Sequence, residues 1–357
     1  MVRRPLFGSI LAVCLLAGVY FLLPNLQADI LLLIQLGMAA FLAIALHELG
    51  HVIGGKLMGM NFGYFVVGPF YVEKGRKRIR VRENRSWGLF GGVALMLPAP
   101  GRTEERHRKD LAMMTISGPI MSLLLSLLTL AIWQLTTIDF FRTCSLFHAV
   151  ILLATILPLP NGPFQTDGVA CYHLFRKTKI GMYKIQTASL MGEMYGSKRP
   201  AHWSDSMYKT CRKKMEDAAE LKDIFIEAMF VFYVEADKEG IKPAIERLFE
   251  QFEMKPNKQL SVYYGPFLEW RMLADVLNGS VNEKKLQQYA AGVSSLSEGT
   301  YSRMQAMLVC SKPKEAMIYT KDAFKAYKTL DGFGVLEREW TRMLANRIRK
   351  SAEQAVS

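Results

Sequence analysis

The chain has 357 residues, half of them hydrophobic, and carries 45 Lys+Arg against 32 Asp+Glu for a formal net charge of +13. That length allows two or three domains, and the crowding of apolar residues towards the N-terminus separates a membrane part, 1–171, from a soluble part, 172–357, with net charges of +6 (15 basic, 9 acidic) and +7 (30 basic, 23 acidic). The excess comes without an aromatic-interleaved basic patch or zinc-finger spacing, so no nucleic-acid partner is expected, and the scattered Cys14, Cys144, Cys171, Cys211 and Cys310 form neither a disulfide framework nor a cysteine metal site.

Four stretches suit a hydrocarbon core of about 30 Å. The first, 5–23, follows Arg3-Arg4, which places the N-terminus in the cytoplasm. It also resembles a signal peptide ending at Leu26-Gln27-Ala28, but the large Leu26 stands where a small residue is favoured. The second span, 30–55, continues as helix through His47-Glu48-Leu49-Gly50-His51. This H-E-x-x-H spacing sets two imidazoles on one helical face, where they can share one Zn2+ while Glu48 acts on a bound water. Chance would produce such a pentapeptide rarely, and ionisable residues inside an apolar helix are expensive enough to mark function.

Beyond it, the period shifts to alternation between Asn61 and Arg85, with breaks at Gly68-Pro69 and Lys74-Gly75, which predicts juxtamembrane hairpins. An edge strand there offers an extended peptide a place to pair, although a hairpin that merely caps the helices reads equally well. The stretch 87–98 is apolar, Gly-rich and too short to span, so it is expected to be re-entrant. The third and fourth spans, 111–137 and 143–160, contain no charged residue. Loop charge agrees with this order: residues 60–110, expected in the cytoplasm, hold 11 Lys+Arg, whereas the turn around 138–142 has one Arg and one Asp.

Two histidines leave zinc one protein ligand short. Asp167 is the candidate, because the run Leu157-Pro158-Leu159-Pro160-Asn161-Gly162-Pro163-Phe164-Gln165-Thr166-Asp167-Gly168 breaks the helix where the fourth span returns to the side of the H-E-x-x-H. Taken alone, Asp167-Gly168 reads as well as a surface turn. His148 is expected five or six turns before Asp167, near the opposite surface, and His107, His173 and His202 are expected at the surface.

With these motifs in order, the chain resembles the site-2 protease family of intramembrane zinc metalloproteases over about residues 28–170. His47–His51 matches its H-E-x-x-H, Asp167-Gly168 its ligand dipeptide, and Gly118-Pro119-Ile120-Met121-Ser122 in part its Gly-Pro-x-x-Asn. The resemblance implies a zinc endopeptidase with His47, His51 and Asp167 as ligands and Glu48 as acid/base. It further implies cleavage of transmembrane substrates near the cytoplasmic face, in regulated proteolysis or the processing of signal-peptide remnants. The chain departs from the pattern at Ser122 and Thr155, where the family often has Asn, and in the longer distance from Pro160 to Asp167; Thr155, Asn161 and Ser122 are the substrate-positioning candidates. A PDZ domain has no room between the second and third spans.

The soluble part divides into a Gly-, Ser- and Lys-rich linker, 172–204, and an all-α cytoplasmic domain, 205–357. Gly240, Ala244, Pro256 and Lys314-Glu315-Ala316 have a tetratricopeptide-like spacing whose period is not sustained. The expected architecture is a multi-pass α-helical membrane protein with a site-2-protease-like core, a juxtamembrane β-hairpin region and this helical domain, which would take a protein regulator or a substrate tail. A catalytically silent membrane scaffold that binds protein partners is the alternative.

Overall fold

The computed structural model describes residues 4–74, 78–84, 87–99, 101–157, 165–252, 261–280, 282–291, 293, 297–328, 330 and 332–354. Four of its helices are long and apolar enough to cross a membrane, which makes the chain a multi-pass membrane protein. They are α1 (Pro5–Leu22), α2 (Gln27–Leu57), α3 (Glu104–Thr136) and α4 (Asp139–Ile156). Leu22, Leu31, Leu128 and Leu135 stand exposed on these helices, as leucines facing acyl chains do.

The inner side of α2 is a stripe of small residues and imidazoles, Ala39, Ala43, His47, Gly50, His51 and Gly54, all buried. It packs on α3 and α4. Gly50 and Gly54 are spaced as small residues are where membrane helices touch backbone to backbone. A β-carbon on Gly54 would lie 2.0 Å from Ser117 Oγ, and one on Gly50 would lie 2.7 Å from the Ser117 carbonyl oxygen. At its start, α3 is capped by the Thr103 side chain, which accepts from the Arg106 N–H, and Glu104 and Glu105 meet the positive end of the helix.

Between α2 and α3 the chain forms one antiparallel sheet of β1 (Asn61–Val67), β2 (Phe70–Lys74), β3 (Ile79–Glu83) and β4 (Val93–Leu97), in the order β3-β2-β1-β4. The hairpins expected from the alternation are therefore present, with Phe65 opposite Val72 and Val72 opposite Val81. The segment expected to be re-entrant is instead a short turn at Trp87–Leu89 followed by β4. Strand β4 pairs with β1, Phe65 opposite Ala94, so its backbone groups find partners in the sheet. Arg102 ties this layer to the helices by donating to the Met58 carbonyl at 2.7 Å and to the buried Asp110 carboxylate at 2.5 Å.

The chain divides into two compact units, Met1–Ser189 and Leu190–Ser357. Where a linker was expected over 172–204, the structure has the end of α5 (Asp167–Phe175) and α6 (Lys179–Met194). His107, expected at the surface, is buried between the Ser189 hydroxyl at 2.8 Å and the Ala99 carbonyl at 3.1 Å. His173 is half-buried and bonds Thr178, while His202 is exposed.

The second unit is all-α. It contains α7 (Asp205–Asp217), α8 (Phe225–Glu239), α9 (Ile241–Gln251), α10 (Ser261–Leu277), α11 (Glu283–Ala291), α12 (Glu298–Leu308), α13 (Pro313–Tyr327) and α14 (Gly334–Gln354). Its core stacks Phe232 on Trp270 with ring centroids 4.2 Å apart. Beside them lies a fully buried Arg303, which grips Glu269 at 2.6 and 2.7 Å and Glu337 at 2.5 Å. Removing one partner of such a group strands the others without water or counter-charge. Arg303→Leu is therefore expected to cost about 3–5 kcal/mol, read as a fall in the urea midpoint of tryptophan fluorescence in the full-length protein.

Candidate metal centre

His47 and His51 lie one turn apart on the inner face of α2, with ring centroids 4.9 Å apart and planes at 90°. Both are buried. Each Nδ1 is engaged by α3: His51 Nδ1–H donates to the Met114 carbonyl at 2.9 Å, and His47 Nδ1 lies 2.9 Å from Ser122 Oγ. Such partners orient the rings and leave Nε2 as the free electron pair, which is the form a metal needs. Helix α3 comes this close only because residue 118 is glycine, since a β-carbon there would sit 2.4 Å from His51 Nε2 and 3.0 Å from His47 Cε1.

The third group arrives from the far end of the fold. Helix α5 begins at Asp167, and its N-cap Thr166 accepts from the Val169 N–H at 3.4 Å while donating to the Leu157 carbonyl at 2.8 Å. This one hydroxyl both starts α5 and holds its first turn against the end of α4. Gly168 completes the approach, because a β-carbon there would lie 1.9 Å from the Ile156 carbonyl oxygen. The result aims Asp167 Oδ2 at His47 Nε2, 3.2 Å away, and at His51 Nε2, 3.5 Å away.

Those separations fit a metal. Ligand bonds of about 2.0–2.1 Å put neighbouring corners of a tetrahedron about 3.3 Å apart. Among the described residues this is the one His/Cys/Asp/Glu group whose ligand atoms all lie within 4.8 Å of one another, and it is a donor set that zinc accepts. The nearby Cys171 thiol is pushed up to about 11, chiefly by burial, and bonds the Ala112 carbonyl, so it stays a protonated packing group.

Glu48 is half-buried beside the ligands and faces the sheet, where a β-carbon on Gly92 would lie 2.9 Å from its Cγ and 3.2 Å from its Oε1. Of the residues expected to position substrate, Ser122 is fully buried and spends its hydroxyl on His47. Thr155 bonds back to the Ile151 and Leu152 carbonyls of its own helix, and Asn161 lies outside the described residues. Three neighbours escaped sequence reasoning. Thr166 was legible as an N-cap directly before Asp167. Lys184 of α6 was not, since it reads as one more lysine on an amphipathic helix; its ammonium is pushed down by burial while Asp167 and Cys171 pull it up. The third is His148 of α4, which is buried within the bundle.

Two histidines on a membrane-length helix, met by an aspartate from just beyond the last such helix, define a class of protein, the intramembrane zinc metalloproteases. The chain belongs to peptidase family M50, whose model matches residues 36–317 and so reaches well past the motifs into the second unit. No curated protein and no solved structure matches the chain.

Purified protein is expected to hold about one zinc per chain, and loss of His47, His51 or Asp167 to alanine should each empty the site. Ser122→Ala leaves all three ligands in place but frees the His47 ring, so zinc affinity should fall about 10- to 100-fold in a chelator competition. Unchanged affinity would remove Ser122 from the centre.

Proposed function

We propose that the chain hydrolyses peptide bonds of transmembrane substrates at the His47–His51–Asp167 centre, with Glu48 as the proton-transferring group. The observation that carries this reading is the meeting of the Asp167 carboxylate with two imidazoles of a membrane-length helix, 3.2 and 3.5 Å from their Nε2 atoms. Zinc, when bound, supplies the Lewis acidity that polarises a carbonyl and makes a bound water nucleophilic near neutral pH. The protein's own residues do the rest. His47 and His51 hold fixed orientations through Ser122 and Met114, so the site needs no rearrangement to receive its metal. Glu48 takes the proton of the attacking water and delivers it to the leaving amine, and Gly92, with no side chain, leaves room for its carboxylate between α2 and the sheet.

The loop between α2 and α3, rich in arginine, supports a cytoplasmic position for the sheet, the site and the second unit. Cleavage then falls near the cytoplasmic face, and the products suit regulated proteolysis or the clearing of signal-peptide remnants. The second unit is read as an array of helical hairpins, since α7 packs on α8, α8 on α9, α12 on α13 and α13 on α14; its task is to hold a substrate tail or a regulator. The scaffold alternative leaves the assembled ligand set without a purpose.

Glu48→Gln is expected to keep zinc and lose cleavage of a transmembrane model peptide by at least about 100-fold in a reconstituted assay. Full activity in that variant would end the assignment of Glu48. Orientation is checked separately. A reporter inserted at Gly101 should read cytoplasmic and one near Asp139 external, and the reverse pattern would move cleavage to the other face.

A further inference from the structure

Within the four long apolar helices, His148 is the buried side chain, among the described residues, whose polar atom has neither a hydrogen bond nor an ion pair: Nδ1 is enclosed and unpartnered. The other buried orphan atom there, on Asp110, belongs to a carboxylate that Arg102 and Arg106 already pair. Several other polar side chains of the bundle have partners. Gln35 donates to Thr143, Ser126 and Ser145 bond one another, Ser122 serves His47, and Thr155 serves its own helix. An enclosed ring nitrogen without a partner is costly, and more so in a membrane, so its retention calls for a partner that comes and goes.

Its place indicates which. Helix α4 touches the Asp167 turn at Ile156, and His148 lies about 12 Å back along the helix from that point, at about 1.5 Å per residue. It lies on α4, which packs on α2, the helix that carries His47 and His51, and its ring is not one of the metal-binding group. The centre is thus at one end of this wall and the imidazole further into the bundle.

A transmembrane helix hides its scissile bond inside its own hydrogen-bond ladder. To be cut it must unwind, and each carbonyl or N–H released in an apolar medium costs several kcal/mol until something pairs with it. Neutral imidazole offers one donor and one acceptor, which is what a freed peptide group requires. We propose that His148 is a substrate-binding residue that hydrogen-bonds a backbone group of the unwound substrate on the membrane-interior side of the cleaved bond, so that unwinding is stabilised where the bilayer resists it. This rests on the proteolytic reading of the centre.

The test uses full-length protein in detergent with two substrates: a transmembrane peptide that must unwind, and a short peptide that ends just beyond the scissile bond and lacks the interior segment. His148→Phe removes the hydrogen bond at similar size, and His148→Gln restores a donor and an acceptor. His148→Phe should keep its zinc and lower kcat/KM for the transmembrane peptide by about 10- to 100-fold while changing the short peptide less than about threefold. His148→Gln should recover most of the loss. Equal losses on both peptides, loss of zinc, or a His148→Gln protein no better than His148→Phe would each overturn the proposal, as would an unaffected transmembrane substrate. A binding readout separates it from the function beneath it. Carbon-13 carbonyls in an uncut transmembrane peptide bound to the Glu48→Gln protein should show a hydrogen-bonded infrared shift that disappears when His148→Phe is added. If wild type cleaves nothing, the proteolytic reading fails, while that shift still reports whether His148 pairs with the peptide.

Discussion

Helices α2 and α3 meet backbone to backbone, and the metal centre depends on that contact. Imidazoles on an isolated membrane helix would turn freely and find no partner in lipid. Here Gly50 and Gly54 remove the side chains that would keep α3 away, and Gly118 removes the one that would collide with the rings. The Met114 carbonyl and the Ser122 hydroxyl then reach the two Nδ1 atoms. Small residues thus serve the chemistry by what they leave out. The same principle that packs membrane helices closely, contact without bulky side chains, here becomes the means of orienting a ligand.

The carboxylate poses a different problem, since it must come back into the bundle from the end of a span. A helix that broke at α4 and wandered would present Asp167 to water as an ordinary turn residue. Thr166 and Gly168 prevent this from either side of it. The Thr166 hydroxyl anchors the first turn of α5 to the Leu157 carbonyl, and the missing side chain at 168 lets that turn lie against Ile156. Two contacts of modest strength place a charged group that the apolar surroundings alone would exclude, 3.2 Å from His47 Nε2 and 3.5 Å from His51 Nε2.

The sheet adds the remaining wall. Its strand β4 came from a stretch that hydropathy reads as a shallow dip into the membrane, yet the same residues pair along β1, and Gly92 just before them lies against Glu48. Satisfied backbone groups explain the preference: a re-entrant loop has to find partners one by one, whereas an edge position on an existing sheet provides a row of them. The second unit obeys soluble-protein rules instead, with aromatic stacking and a buried Arg303 held between two carboxylates. The family match runs into this unit and ends at residue 317, within α13.

By itself the sequence determined the spans, the two histidines with Glu48, and the candidacy of Asp167, because these depend on composition and on spacing along one helix. Helical periodicity is local, so His47 and His51 had to share a face wherever α2 lay. What only the tertiary structure decided is the set of relations between helices. Ser122 turned from a candidate for touching substrate into the support of His47, Thr155 turned inward to its own backbone, and His148 moved from an expected surface position into the bundle. Each of those outcomes depends on how far one helix is rotated against another. That rotation is fixed by which side chains are absent at the contact, a property of two segments at once that no single stretch of sequence contains.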